Sequence, residues 1–383
     1  MHVYGDDFFD FDDVAYFNCA YMGPMPRVAA AAAAAAIEQK GRPDRVVDQM
    51  FFDAPDAYRQ QVARLIGCDA IDVAVADSTT HGVMLVVNGL DWDDGDEVVV
   101  LRGAFPSNYF PWRSLEQRGV VVREVDPASE RPIVELLEAV VTARTRVVSV
   151  SFVTYSLGRR LDVGEIGRWC SSRGIVFVID GSQGIGGLPF DLDETPCDLL
   201  ACSGYKWLLG PYGLGFTYVN PEFGERLALG NINWFSIVGA SDFSRLGECE
   251  LEMVPGAIRF DINETANFIN VAAGTAALEY INEVGPATVA QHVRALQDQL
   301  VEGLPDQFRV VSDLRDGRRS NLLCLTAERE HDIDAAFRRL AESKFVVSRR
   351  EGRLRFSPNL YNTAEQVERA LDVLAGARAG PGP

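Results

Sequence analysis

A lysine between two aromatic residues, Tyr205-Lys206-Trp207, stands ahead of the glycine-rich run Gly210-Pro211-Tyr212-Gly213-Leu214-Gly215. An amine in such surroundings can lose its proton and attack a carbonyl carbon. Upstream, the apolar run 176–179 ends in Asp180, with Gly181, Ser182 and Gln183 following. That order puts a carboxylate at the C-terminal end of a strand, where open α/β sheets bind their ligands. Buried there, Asp180 needs a cationic partner. A third group, Asp77-Ser78-Thr79-Thr80-His81-Gly82, offers hydroxyls and backbone N–H groups just before helical spacing at 83–88. The N-terminus of a helix attracts anions, and the same residue types also serve as plain helix caps.

The elements that must hold these groups are legible from hydrophobic spacing. Short β-branched runs at 98–101, 120–125, 147–153 and 175–179 are apolar throughout, as expected of strands covered on both faces of a mostly parallel sheet. Helical spacing at 133–143 and 163–173 falls between them and gives the strand-helix-strand rhythm of an α/β layer structure. The alanine run 29–36 follows Pro26 and leads into Ile37-Glu38-Gln39-Lys40, which reads as one helix. A long amphipathic helix is expected over 268–284, with strands near 308–311 and 322–325. The expected division is a large domain over 15–255 and a smaller α+β domain made of 1–14 and 256–374. The tail 375–383, rich in Gly, Pro and Ala, is expected to be mobile.

Composition narrows the partners. The 383 residues are 47% hydrophobic and 24% charged, enough for a large core. A formal net charge of -19 repels nucleic acid and anionic lipid, and no basic block offsets it. The seven cysteines are scattered, odd in number and without CxxC spacing, so neither a disulfide framework nor a metal site is expected. An acidic N-terminus and the lack of a long apolar run argue against a leader or a membrane span, and a cytoplasmic location is expected.

Three segments carry a resemblance: IDGSQGIG at 179–186, SGYKWLLGPYGLGF at 203–216 and LRFSPNLYNT at 354–363. In this order and at these separations the chain resembles the class V aminotransferase family. That is the fold-type I pyridoxal-phosphate (PLP) group containing cysteine desulfurases, kynureninase and isopenicillin N epimerase. The resemblance implies an enzyme whose PLP is held by Lys206 as a Schiff base. Asp180 would keep the ring nitrogen protonated, and Gln183 would hydrogen-bond the ring hydroxyl. Thr79 and Thr80, joined by Ser203 and Tyr205, would cradle the phosphate, and Phe105 would stack on the ring. Arg355 would clamp the substrate α-carboxylate, a task that suits the planar guanidinium fork. The family's N-terminal loop over the substrate would here include Asn18 and Cys19. Thr265 would reach a partner subunit's phosphate in a homodimer with shared sites. The family's usual Gly-Thr pair stands here as Glu264-Thr265, and Tyr155 replaces the asparagine of desulfurases.

Desulfurases of this family use a nucleophilic cysteine shortly before the carboxylate arginine, and residues 346–355 contain none. Transamination, racemisation or epimerisation, and β- or γ-elimination by a C–S or other lyase remain, all starting with removal of the substrate Cα proton. Transamination is the first expectation. A PLP-fold protein that binds without turnover is a further alternative, which the intact set Lys206, Asp180 and Gln183 argues against.

Overall fold

The computed structural model describes residues 4–230 and 232–376. The C-terminal stretch 377–383, the larger part of the expected mobile tail, lies outside the described residues.

The large domain is a seven-stranded sheet. Its strands follow a two-residue strand β1 (Ala15–Tyr16) and are β2 (Val73–Ala76), β3 (Glu97–Leu101), β4 (Val121–Val125), β5 (Thr145–Ser151), β6 (Val176–Asp180), β7 (Leu199–Ser203) and β8 (Gly215–Val219). They lie in the order β2-β8-β7-β6-β5-β3-β4, and only β8 runs against its neighbours. In β2, β3, β6, β7 and β8 every residue is buried, which is why these runs show no alternation in the sequence.

The small domain has a four-stranded antiparallel sheet in the order β12-β13-β10-β9. Its strands are β9 (Phe308–Val310), β10 (Leu323–Ala327), β12 (Ser348–Arg350) and β13 (Arg353–Phe356), with β11 (Phe345–Val346) pairing separately with β1. Leu296, Leu300, Ile333, Leu340, Val367 and Leu374 come from three helices and bury the sheet's apolar residues.

Two placements depart from the domain boundary read in the sequence. The helix Phe268–Val284 begins and ends where its spacing predicted, yet it packs on α1 (Arg27–Lys40) and α2 (Met50–Ile66). Its Val271, Leu278 and Ile281 join the core beneath the large sheet, because the small sheet already has its helical cover. Conversely, Ala15 and Phe17, expected in the large domain, are buried with the small one, since the β1–β11 pairing ties that strand to it. The segment after residue 255 thus returns to the large domain before the chain crosses over.

That returning segment is fixed by a buried ion pair. Asp261 pairs with Arg59 of α2 and accepts a hydrogen bond from the Val75 N–H of β2 at 2.8 Å. Burial raises the Asp261 carboxyl to about 6 even against the Arg59 charge. Three residues later Glu264 has φ +55°, a left-handed conformation in which glycine carries no Cβ penalty. The exposed Glu264 side chain points into solvent, so its carboxylate adds no packing that would offset the strain. Glu264→Gly should therefore raise the unfolding free energy by about 1 kcal/mol, and Glu264→Val should lower it. Thermal denaturation in which the glycine variant melts earlier would show that the conformation is not strained.

Candidate active site

β6 and β7 run side by side in parallel, with Asp180 paired to Ala201, so their C-terminal ends open on the same side of the sheet. Asp180 closes β6, Ser203 closes β7, and Lys206 follows three residues later. Asp180 accepts a hydrogen bond from the Ser182 N–H at 3.0 Å, and both residues are buried. The chain has three lysines, of which Lys40 and Lys344 are exposed and Lys206 is buried. The Lys206 amine lies 5.1 Å from the centre of the Phe105 ring and 5.5 Å from that of Tyr205. Burial pulls it below the ordinary lysine value, Asp180 works in the opposite direction, and Arg355 adds to the lowering. The net lowering makes this amine easier to deprotonate than an exposed lysine.

Three hydroxyls gather where α3 (Thr79–Gly89) begins. Thr79 Oγ1 is 2.6 Å from Ser182 Oγ and 2.9 Å from Ser203 Oγ, all three residues being buried. The helix starts at Thr79, earlier than its apolar spacing suggested, with Ser78 as the cap accepting from the His81 N–H. Ser182 received no role in the sequence reading, and its only signal was its place two residues after Asp180. Thr80, half-buried in the first turn of α3, does not line the cavity that Thr79, Ser182, Ser203, Tyr205 and Lys206 share. Its backbone N–H, one of the unpaired donors of a first helical turn, is what it can offer an anion. His81 is structural, with Nε2 2.9 Å from the Phe260 carbonyl.

Phe105, Ser107, Ser151, Val153, Tyr155 and Gln183 complete the lining. Gln183 is oriented from both ends: its Nε2 donates to the Ala20 carbonyl at 2.9 Å, and its Oε1 accepts from the Trp207 indole at 3.1 Å. The second hydrogen on Nε2 remains for the cavity. Tyr155 meets Phe105 edge to face at 5.4 Å and donates its hydroxyl to Glu351 at 2.8 Å. Burial and that hydrogen bond push the Tyr155 phenol up to about 12.

Arg355, on β13, donates to the Tyr155 carbonyl at 2.9 Å and reaches Ser348 Oγ at 3.4 Å. Its Nε is buried with no hydrogen-bond partner, and among the described residues no carboxylate stands within ion-pair distance of it. Burial lowers the guanidinium to about 10. A buried cation left in this state calls for an anion from outside the chain. Asn18 accepts from the Ser348 hydroxyl at 2.6 Å, so it stands one contact behind Arg355.

The loop carrying Asn18 ties both domains together. The Cys19 N–H donates to the Ser357 carbonyl at 3.1 Å, and the Gly23 N–H donates to the Tyr205 carbonyl at 2.8 Å. A Cβ on Gly23 would stand 1.9 Å from the Lys206 carbonyl oxygen, so only glycine fits there. Cys19 is fully buried, accepts from Asn359 Nδ2 at 3.1 Å, and has a thiol pushed up to about 12 by burial. Cys324, across from Arg355 in β10, is pushed up to about 11 for the same reason. Neither presents a thiolate. Thr265 is buried, outside the cavity lining, and donates its hydroxyl to the Ile262 carbonyl at 2.7 Å.

Residues 25–370 match the model of the aminotransferase class-V family. The chain belongs to that family. It is 27% identical to isopenicillin N epimerase of Streptomyces clavuligerus over 95% of each chain. It is 30% identical to a probable cysteine desulfurase of Methanothermobacter thermautotrophicus over 63% of this chain and 59% of that protein. Among solved structures it superposes on the cystine C–S lyase C-DES bound to cysteine persulfide, with a TM-score of 0.86, 23% identity and coverage of 96% and 98% of the two chains. The fold of this class V protein is the fold-type I α/β architecture, and its cofactor is pyridoxal 5'-phosphate.

The residues present fit that cofactor. The hydroxyls of Thr79, Ser182 and Ser203, with the opening N–H groups of α3, form an anion cradle at one end of the cavity. The Asp180 carboxylate suits a protonated pyridine nitrogen, and the Lys206 amine suits the aldehyde. Borohydride treatment of the holoenzyme should fix the cofactor to Lys206, and Lys206→Ala should lose that covalent attachment. Peptide mapping that finds the label on Lys40 or Lys344 would overturn the assignment.

Proposed function

We propose that this class V enzyme is an aminotransferase that acts on an α-amino acid. The observation that carries the proposal is Arg355, a buried guanidinium with an unpartnered Nε, close enough to Lys206 for the two charges to act on each other. A planar fork with a free edge suits the two oxygens of an α-carboxylate. Held there, the substrate's Cα comes within reach of the Lys206 amine.

PLP, when bound, supplies an electron sink that acidifies the substrate's Cα–H. Asp180 would hold a proton at the ring nitrogen, and the Thr79, Ser182 and Ser203 hydroxyls would hold the phosphate. Phe105 would stack on the ring and can exchange no proton. Lys206, its basicity lowered by burial, takes the proton from Cα and keeps it inside a site from which water is largely excluded. No cysteine lines the cavity among the described residues, so sulfur transfer through a protein thiol has no support. With Lys206 as the one mobile base, moving a proton between two carbons is the chemistry best matched to the side chains present.

Elimination is the second reading, favoured by Tyr155. Its phenol, pushed up to about 12, keeps its proton at neutral pH and lines the same cavity, so it could assist a leaving group. Relatives named as cysteine desulfurases add to that reading. The proposal also includes a homodimer with shared sites, supported by the family resemblance at Thr265, which lies outside the cavity lining of its own chain, and a cytoplasmic location. Among the described residues no helix is long and apolar enough to cross a membrane.

A single turnover with an amino acid and no keto-acid acceptor should give one equivalent of keto acid per site and then stop. Continuous release of ammonia with an eliminated side-chain group would replace the transferase with a lyase. Arg355→Lys should raise the substrate KM by roughly tenfold or more through loss of the bidentate geometry. Kinetics unchanged in Arg355→Ala would remove the carboxylate clamp. Sedimentation should show a dimer, and a monomer of full PLP affinity would exclude shared sites.

A further inference from the structure

A second arginine, Arg350, lies on the strand paired with that of Arg355. β12 and β13 meet in a two-residue turn, Glu351 at φ +47° and Gly352 at φ +72°, which pairs Arg350 with Arg353 and Ser348 with Arg355. Directly paired residues and alternate residues of one strand share a face. Arg350 therefore projects on the same face as Ser348 and Arg355, and Arg355 on that face donates to the carbonyl of Tyr155, a cavity-lining residue. The Arg350 guanidinium lies 5.8 Å from the centre of the Tyr21 ring, on the loop that crosses the site. It is also near enough for its charge to act on Tyr155, which lines the cavity, and on Arg355.

Besides Arg350 and Arg355, the charged groups on this hairpin are neutralised. Arg349 pairs with Glu330 and Asp334, and Arg353 pairs with Glu351 at 3.3 Å, whose carboxylate also accepts the Tyr155 hydroxyl. Arg350 has only the Arg349 carbonyl, at 3.0 Å, and among the described residues no carboxylate at ion-pair distance. It is half-buried rather than extended into solvent, where an idle surface arginine would be.

We propose that Arg350 binds an anionic group on the substrate's side chain, so that the preferred substrate is an acidic amino acid held by Arg355 at one end and Arg350 at the other. This rests on the reading of the site as one that takes an α-amino acid. Tyr21 flanks the Arg350 guanidinium and restricts where it can point.

The test compares aspartate and glutamate with asparagine and glutamine, their neutral counterparts of equal size, on the wild-type holoenzyme and on Arg350→Gln. The acidic substrates should be preferred in kcat/KM, and Arg350→Gln should lower that value roughly tenfold to a hundredfold for them while leaving the amides within about twofold. Calorimetric titration of the holoenzyme gives a readout independent of turnover. Succinate and glutarate should bind more tightly than propionate and butyrate, and the difference should vanish in Arg350→Gln. Equal use of amides and acids by the wild type, or a variant that loses both alike, would overturn the role of Arg350 alone. If no amino acid alters the cofactor's absorption, the reading of an amino-acid site falls with it.

Discussion

An amine and a carboxylate share one cavity, a buried guanidinium stands close to them, and the architecture follows from making that tolerable. Taking Lys206, Asp180 and Arg355 out of solvent costs several kcal/mol for each charge unless other groups replace the lost hydration. Asp180 is answered by the Ser182 N–H and by the Lys206 charge. Arg355 is answered only in part, by the Tyr155 carbonyl and the Ser348 hydroxyl. On the proposed reading, the remainder of its hydration is restored by a substrate carboxylate, which would turn a cost to folding into selectivity in binding.

The large domain lines this cavity, and the small domain brings Arg355 up to it. Parallel strands deliver Asp180, Ser203 and the lysine loop to one edge of the large sheet, and α3 turns its first N–H groups toward the same place. The small sheet delivers Arg355 from the other side, set by its register with Ser348 and Cys324. Asp180 and Ser203 are held in place because β6 and β7 are buried throughout.

Much of this was legible in the sequence where chemistry is local. Runs apolar on every residue announced the central strands, and Asp180 and Lys206 stood out because an acid after such a run, and a lysine among aromatics, are unusual company. Ser182 was not singled out, since a serine after Asp-Gly is ordinary until the fold sets it beside Thr79 and Ser203. The helix Phe268–Val284 shows the same limit: its bounds follow from spacing, whereas its partner depends on which other faces were already covered. Whether an arginine is paired is likewise a property of tertiary neighbours, so neither the isolation of Arg355 nor that of Arg350 could be read from residue order.

The loop around Gly23 gives the site a mechanical property. It hangs from the backbone of Ser357 in the small domain at one end and from Tyr205, with Gly23 against the Lys206 carbonyl, at the other. Such a strap has little slack, because hydrogen bonds at both ends and a contact too close for any side chain leave no room to stretch. A displacement of Ser357 relative to the large sheet would therefore be passed to the Lys206 peptide through a few residues of chain.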